Sequence, residues 1–318
     1  MKSSTDHEPT TTPTSGDAAH GPHQQRTPPP QKTSYESNRD VQRWLHEQAL
    51  EEVRRKPEFQ PTFLVHQRDR LWVLSSLAHF YENDLITDVL RVVKSGKEAT
   101  VYCCVAHPAT GAEYLAAKVY RPRMFRSLKN DVIYRESRAQ LDDQGHERHG
   151  GRARGHQKKT ERGRAERVAS WIAYEFQTQQ MLYDAGADVP RPLAQIGNAV
   201  LMEYIGEGSE PSPTLREVTL ADDEAQPVFE RIVRNIELFL ACDRIHGDLS
   251  AYNLLHRQGV ATVIDFAQAV DPRYNAGVYD LLARDVERVC RHFKRYGLHA
   301  DAGALSSDLW QRYLARDL

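Results

Sequence analysis

His246-Gly247-Asp248-Leu249-Ser250-Ala251-Tyr252-Asn253-Leu254-Leu255 is the stretch on which the fold turns. It sets an Asp and an Asn five residues apart in a short polar loop bounded by apolar residues, and Ala261-Thr262-Val263-Ile264 then delivers a second carboxylate at Asp265. Phosphoryl transfer from ATP needs a base or aligner for the acceptor hydroxyl and hard oxygen ligands for magnesium, which favours carboxylates, phosphate oxygens and water. Asp248, Asn253 and Asp265 supply those groups. Each alone is an ordinary turn former. The ordered set, closed by an apolar strand that ends on Asp265, is far more specific than its members.

Upstream, residues 113–120 read as a β-strand that places Lys118 among apolar neighbours. A lysine there is costly to bury unless it is paired. The helical period over 165–185, through Val168, Ile172, Phe176, Met181 and Leu182, carries Glu175 near its middle as that partner. Before Lys118, strand-like residues 89–93 and 100–105 flank the turn Ser95-Gly96-Lys97-Glu98-Ala99, and Pro108 and Gly111 mark the turn into the third strand. Three such strands make a small antiparallel sheet. A single glycine is a weak phosphate-loop signal, strengthened here by its place ahead of two strands and Lys118. Further on, 200–206 reads as a strand leading into a linker, and 226–242 as a helix.

The outer parts of the chain carry less chemistry. The first 40 residues hold four residues of the hydrophobic class and six prolines, too little apolar surface to offset chain entropy, so 1–58 is expected to be a disordered polar tail with a helix at 38–56. A second helix is expected over 69–81, opening an ordered region near residue 60. No run of about 18 apolar residues and no apolar N-terminal h-region occurs, which predicts a cytoplasmic protein without a membrane partner. Cys103, Cys104, Cys242 and Cys290 show no metal-ligand spacing. The net charge of -2 conceals 14 Lys+Arg against 7 Asp+Glu in residues 121–167. That Gly-, Arg- and His-rich stretch is expected to be a mobile basic insertion, able to meet phosphates of a nucleic acid or phosphorylated partner.

Taken in order, these residues resemble the RIO family of atypical serine/threonine protein kinases, most closely its first subfamily, over about residues 85–300. The resemblance rests on Ser95-Gly96-Lys97-Glu98-Ala99-Thr100-Val101-Tyr102, Ala117-Lys118-Val119-Tyr120, Glu175-Phe176, Leu201-Met202-Glu203-Tyr204-Ile205-Gly206, the stretch from His246 to Asn253, Ile264-Asp265 and Arg284-Asp285. It implies an α+β, two-lobed protein-kinase-like fold, with a small antiparallel N-lobe sheet over 59–203 and a reduced helical C-lobe over 204–318. It implies ATP and Mg2+. The nucleotide would meet Ser95, Gly96 and Lys97 in the phosphate loop and Lys118 on its α/β-phosphates, with Glu175 orienting Lys118. Backbone groups from Glu203 to Ile205 would hold the adenine. Asp248 would be the proton acceptor, and Asn253 and Asp265 the metal ligands. Family members can carry phosphate on the aspartate matching Asp265, so an aspartyl-phosphate ATPase cycle joins serine/threonine phosphorylation and autophosphorylation as an implied activity. Members take part in small-subunit ribosome maturation, which makes a ribosomal RNA-protein particle an implied partner of the basic 121–167 segment, beside a protein substrate.

Two other readings compete. Small-molecule kinases of the aminoglycoside or choline type also resemble the chain at His246-Gly247-Asp248 and Asn253, without the match at 95–102. An assembly factor whose nucleotide state controls docking on an RNA-protein particle is compatible with the same residues. The nucleotide loop departs from the eukaryotic members at Lys94, and Asp265-Phe266-Ala267 replaces the kinase Asp-Phe-Gly. The 53 residues after Asp265 are expected to be too few for a conventional activation segment and peptide-docking subdomain.

Overall fold

The computed structural model describes residues 57–63, 67–121, 161–274 and 277–318. The expected tail, its helix at 38–56 and nearly all of the basic segment fall outside them. The described residues all belong to one compact unit that starts at Pro57.

Helix α1 (Gln67–Glu82) leads into strands β1 (Ile86–Ser95), β2 (Ala99–Ala106) and β3 (Tyr114–Tyr120). Gly111, in the left-handed region at φ 71°, closes the turn before β3. Helix α2 (Glu161–Asp184) follows, then β4 (Pro192–Ile196) and β5 (Ala199–Glu203). The sheet has five strands in the order β1-β2-β3-β5-β4, with each neighbouring pair antiparallel. Two strands beyond the expected three therefore enter it. β5 pairs with β3 and ends at Glu203, ahead of the irregular residues 204 and 205, and β4 starts at Pro192. Pro192 is compatible with that place because β4 is an edge strand and Pro192 is its first residue.

Alternation along the strands separates the two faces. Leu115, Ala117, Val119, Ala199 and Leu201 pack with Val73, Leu77 and Phe80 of α1. On the opposite face, Tyr120 and Val200 pack with Val168, Trp171 and Ile172 of α2. Lys118 lies on this second face, opposite Val101 of β2 and Val200 of β5.

After β5 come the short strands β6 (Gly206–Glu207) and β7 (Glu210–Pro211), helix α3 (Ala225–Ala241), the hairpin β8 (Leu254–Arg257) and β9 (Val260–Val263), and helices α4 (Val278–Phe293) and α5 (Ala302–Ala315). Val228, Ile232, Ile236, Phe239 and Leu240 recur at helical spacing on α3 and bury one stripe against α4 and the β8–β9 hairpin in a second core. Burial of a side chain such as Phe239 contributes roughly 1.5–3 kcal/mol. Asp301 caps α5, accepting hydrogen bonds from the Gly303 and Ala304 backbone N–H groups at 2.9 and 3.0 Å. The four cysteines are free thiols.

Candidate active site

β3 and α2 meet where Lys118 Nζ donates to Glu175 Oε1 at 2.6 Å. Tyr120, two residues along the same face of β3, donates its hydroxyl to the other oxygen of Glu175. The lysine side chain is 11% exposed and the glutamate 5%. The same ammonium reaches Asp265 Oδ1 at 2.8 Å. Burial works against the charge on Lys118, but Asp265 and Glu175 outweigh it, and its pKa rises well above the ordinary lysine value. The Lys118 charge, in turn, holds the Asp265 carboxyl down at about 2 against the opposing effect of burial. Both groups are ionised at neutral pH.

Asp265 is delivered by the end of β9 and adopts φ 72°, ψ 71°. A non-glycine residue there stores on the order of 1–3 kcal/mol of strain and persists only where its surroundings hold it. The next residue supplies that hold. Phe266 is buried against Phe239, with ring centroids 5.7 Å apart, and against the His246 imidazole at 5.1 Å. His246 Nε2 lies 3.2 Å from the Ile264 carbonyl and Nδ1 lies 3.3 Å from the Asp248 N–H. This network assigns the proton to Nε2. Burial lowers the His246 pKa, which keeps the ring neutral in that tautomer.

The loop from His246 to Asn253 is tied down from several sides. Gly247 has φ 77°, and a Cβ there would collide with the Gln268 carbonyl oxygen, so the position requires glycine. Asp285 of α4, 2% exposed, accepts from the Gly247 and Leu249 N–H groups at 2.7 and 3.0 Å, and Arg284 donates to the Gly247 carbonyl. Burial, opposed by those two N–H groups, pushes the Asp285 carboxyl up to about 7. Asn253 Nδ2 donates to the Asp248 carbonyl at 3.0 Å, and the Ile264 N–H donates to the Asn253 carbonyl at 3.0 Å. The Asp248 carboxylate opens outward, half exposed, and pairs with Arg288 Nη1 at 2.7 Å.

Ser95, Gly96 and Lys97, expected to meet the phosphates, run from the last residue of β1 into the following turn. Gly96 N–H donates to Ala99 O at 2.9 Å, which makes 95–99 a tight turn. Ser95 Oγ accepts from Arg121 Nη2 at 2.6 Å, and Thr100 Oγ1 accepts from the same nitrogen at 2.8 Å. Lys97 is exposed in the turn. Farther away, Glu203 exchanges hydrogen bonds with Arg191: its N–H donates to Arg191 O at 2.8 Å, and its Oε2 accepts from Arg191 N–H at 3.1 Å. The Ile205 carbonyl accepts from Ser212 N–H at 3.0 Å.

The structure thus joins Lys118, Glu175 and Asp265 directly, and binds Asp248 and Asn253 to each other and to the β9 turn that carries Asp265. The contacts given for Ser95, Gly96, Glu203 and Ile205 do not reach Lys118, Glu175, Asp248, Asn253 or Asp265. Roles that sequence reasoning did not assign are Tyr120 as a Glu175 partner, Arg288 as the Asp248 partner, and Lys94 as a charge that also acts on Asp265. The spacing of Arg284 and Arg288 by four on a helix was the available signal for Arg288.

Asn253 and Asp265 fit a magnesium ion by their chemistry. Asp265 is an ionised carboxylate with 44% of its side chain exposed. Asn253 uses its amide nitrogen internally, and among the described residues no donor satisfies its Oδ1. One carboxylate and one amide oxygen suit an ion that retains water and phosphate ligands. Among the described residues no group of three His, Cys, Asp or Glu side chains forms a closed metal cage.

A lysine on an antiparallel sheet paired to a helix glutamate, above a loop with an Asp–Asn pair and a following Asp, defines a protein-kinase-like fold and site. The RIO domain family matches residues 101–304, and the chain belongs to that family. Among curated relatives, the serine/threonine-protein kinase RIO1 of Caenorhabditis elegans is 26% identical over 208 residues, covering 65% of this chain and 37% of that protein. The RIO-type serine/threonine-protein kinase Rio1 of Haloferax volcanii is 28% identical over 217 residues, covering 67% of this chain and 66% of that protein. This chain therefore spans between about a third and two thirds of the length of these relatives. A crystal structure of the Rio2 kinase from Chaetomium thermophilum aligns over 81% of this chain and 72% of that chain, with 18% identity and a TM-score of 0.49. Membership of the RIO family decides between the two kinase resemblances in favour of the RIO type. Among the described residues no helix is long and apolar enough to cross a membrane.

Proposed function

We propose that the protein transfers the γ-phosphoryl group of ATP to serine or threonine hydroxyls of a protein substrate, itself included. The observation that carries this reading is the convergence of Lys118, Glu175 and Asp265 within hydrogen-bond distance, from three elements far apart in sequence. Family membership supports it.

In this reading Lys118, held by Glu175 and Tyr120, binds α/β-phosphate oxygens, and the turn at Ser95, Gly96 and Lys97 covers the phosphates. Backbone groups of Glu203 and Ile205 receive the adenine. Asn253 and Asp265 would hold Mg2+, which when bound neutralises phosphate charge. Asp248 accepts the proton of the acceptor hydroxyl as its oxygen bonds to the γ-phosphorus and the bond from that phosphorus to the β-bridging oxygen breaks, releasing ADP. The basic stretch 121–167 is read as a contact for a phosphate-rich partner such as a ribosomal RNA-protein particle, and the setting as cytoplasmic.

A second activity has its own observation. Asp265 keeps an ionised, half-exposed carboxylate, suited to attack on the γ-phosphorus, with cleavage of that phosphorus's bond to the β-bridging oxygen, release of ADP and a transient aspartyl-phosphate. Labelled ATP with purified protein separates the readings. Acid-stable label on serine or threonine supports transfer, and hydroxylamine-labile label on the chain supports the aspartyl-phosphate. Asp248→Asn should retain nucleotide binding and lose transfer, and loss of both together would make Asp248 structural.

A further inference from the structure

The nucleotide side of the site leaves one face without a role, that onto which Asp248 opens. Residues 213–216 are laid along the loop by backbone hydrogen bonds: Arg216 N–H to Ala251 O at 3.1 Å, Leu215 N–H to Leu254 O at 2.7 Å and His256 N–H to Pro213 O at 2.9 Å. This segment fixes Arg216 beside Tyr252. Arg216 Nε donates to the Tyr252 hydroxyl at 3.3 Å, and its guanidinium carbon lies 6.0 Å from the ring centroid. Tyr252 is 59% exposed. On the other flank, α4 projects Arg288 onto Asp248 at 2.7 Å. Arg216 and Arg288 thus hold the same loop four residues apart, one through Tyr252 and the other through Asp248.

We propose that Arg216 and Arg288 select the acceptor, taking a serine or threonine with an acidic side chain close to it in the substrate polypeptide. Tyr252, held by Arg216 and exposed four residues after Asp248, is the platform beside the acceptor. The proposal rests on the kinase reading above and names its substrate class.

Charge accounting on this face supports it. Among the described residues Arg216 has no carboxylate within 4 Å, and Arg288 has Asp248 alone. Neighbouring acids are already engaged: Glu217 accepts from the Thr214 N–H and hydroxyl at 2.8 Å, and Glu287 pairs with Arg291. Arg288 uses one of its five N–H donors on Asp248, so a planar fork remains for a second anion. A substrate carboxylate that takes this fork and draws the guanidinium off Asp248 frees Oδ1 for the acceptor hydroxyl. The hydroxyl proton then passes to Asp248 as oxygen bonds to the γ-phosphorus and ADP departs. A neutral acceptor finds the carboxylate still paired. Two cations on one loop with a single exposed tyrosine match a short acidic peptide better than RNA, which would ask for a line of cations and several stacking rings.

The test uses the full-length chain with a non-hydrolysable ATP analogue, Mg2+ and fluorescent serine peptides, alike except for Glu, Ala or Lys flanking the serine. The Glu peptide should bind about tenfold more tightly than the Ala peptide, the sum of two modest ion pairs. Arg216→Ala and Arg288→Ala should each reduce that ratio several-fold, and Arg216→Glu should shift preference toward the Lys peptide. Equal affinity for Glu and Ala peptides overturns the proposal. So does an unchanged ratio in the Arg216 variants, or tighter binding of a single-stranded RNA that competes with the Glu peptide through the same two arginines. Transfer from labelled ATP is read separately: selective binding without transfer to any peptide upholds the selecting surface and refutes the kinase reading.

Discussion

Lys118 and Asp265, 147 residues apart in sequence, meet at 2.8 Å, so β3 and the turn after β9 share one ion pair whose ammonium also holds Glu175 of α2. The carboxylate proposed for the metal and the lysine proposed for the phosphates are thereby fixed by each other. Altering one should be felt by the others.

Lys118→Met leaves Glu175 buried, with the Tyr120 hydroxyl donating to one of its oxygens. Phosphoryl transfer should fall by about 10²- to 10³-fold, and the unfolding free energy by about 3 kcal/mol because one side of a buried pair is left behind. Combined with Glu175→Gln, the loss of turnover should be less than the product of the single losses. Strict additivity in steady-state kinetics would dissolve the pair as a functional unit.

Tyr120→Phe removes a hydroxyl and leaves the Lys118–Glu175 contact in place. A buried carboxylate oxygen loses its donor, which should cost about 1–2 kcal/mol in denaturant unfolding. Transfer should fall less than tenfold, and a loss as deep as that of Lys118→Met would assign the hydroxyl a more direct part.

Asp265→Asn should abolish the difference between nucleotide affinity measured in Mg2+ and in chelator, since the ionised metal-facing group is gone. The acid limb of stability should change too. The Asp265 carboxyl titrates at about 2, below its ordinary value of 3.8, so its contribution is present above about pH 4 and is lost as pH falls toward 2. The stability gap between wild type and Asp265→Asn should therefore close over that window. A gap that is flat down to pH 2 would mean that the Lys118 pairing does not stabilise the fold.

Asp285→Asn tests the anchor beneath the loop from His246 to Asn253. An amide retains one good acceptor for the Gly247 and Leu249 N–H groups, and stability should drop by about 1–3 kcal/mol. The sign of the pH effect is opposite to that of Asp265. With the Asp285 carboxyl raised to about 7, the favourable contribution is complete below about pH 4 and declines as pH rises to 7. Wild type should lose ground relative to Asp285→Asn across that interval in urea titrations at fixed ionic strength. The reverse slope would show that the two N–H groups outweigh burial.

The local elements were legible because their causes are local. The apolar spacing from Val168 to Leu182 encodes α2 and puts Glu175 on it, and the alternation up to Tyr120 encodes β3 and puts Lys118 on it. Period-2 alternation does not name a strand's neighbour, so the β3–β5 pairing and the edge position of β4 were not readable. Pro192 made matters worse, since a proline at a strand start looks like a break. Likewise, helical spacing aligns Arg284, Arg288 and His292 on α4 but does not say what that stripe faces.

The sequence by itself determined which chemical groups are available and in what order: a lysine in an apolar strand, a glutamate within a helix, and Asp248, Asn253 and Asp265 around one short hairpin. Only the tertiary structure decided that Lys118 touches Glu175 and Asp265 at once, that Arg288 covers Asp248, and that the Asp265 and Asp285 carboxyls titrate far apart, at about 2 and about 7. The physical reason is range. Propensity and periodicity act over a few residues of chain, whereas charge interaction and desolvation depend on distance and burial in space, which packing of the α2, β3, β9 and α4 elements sets.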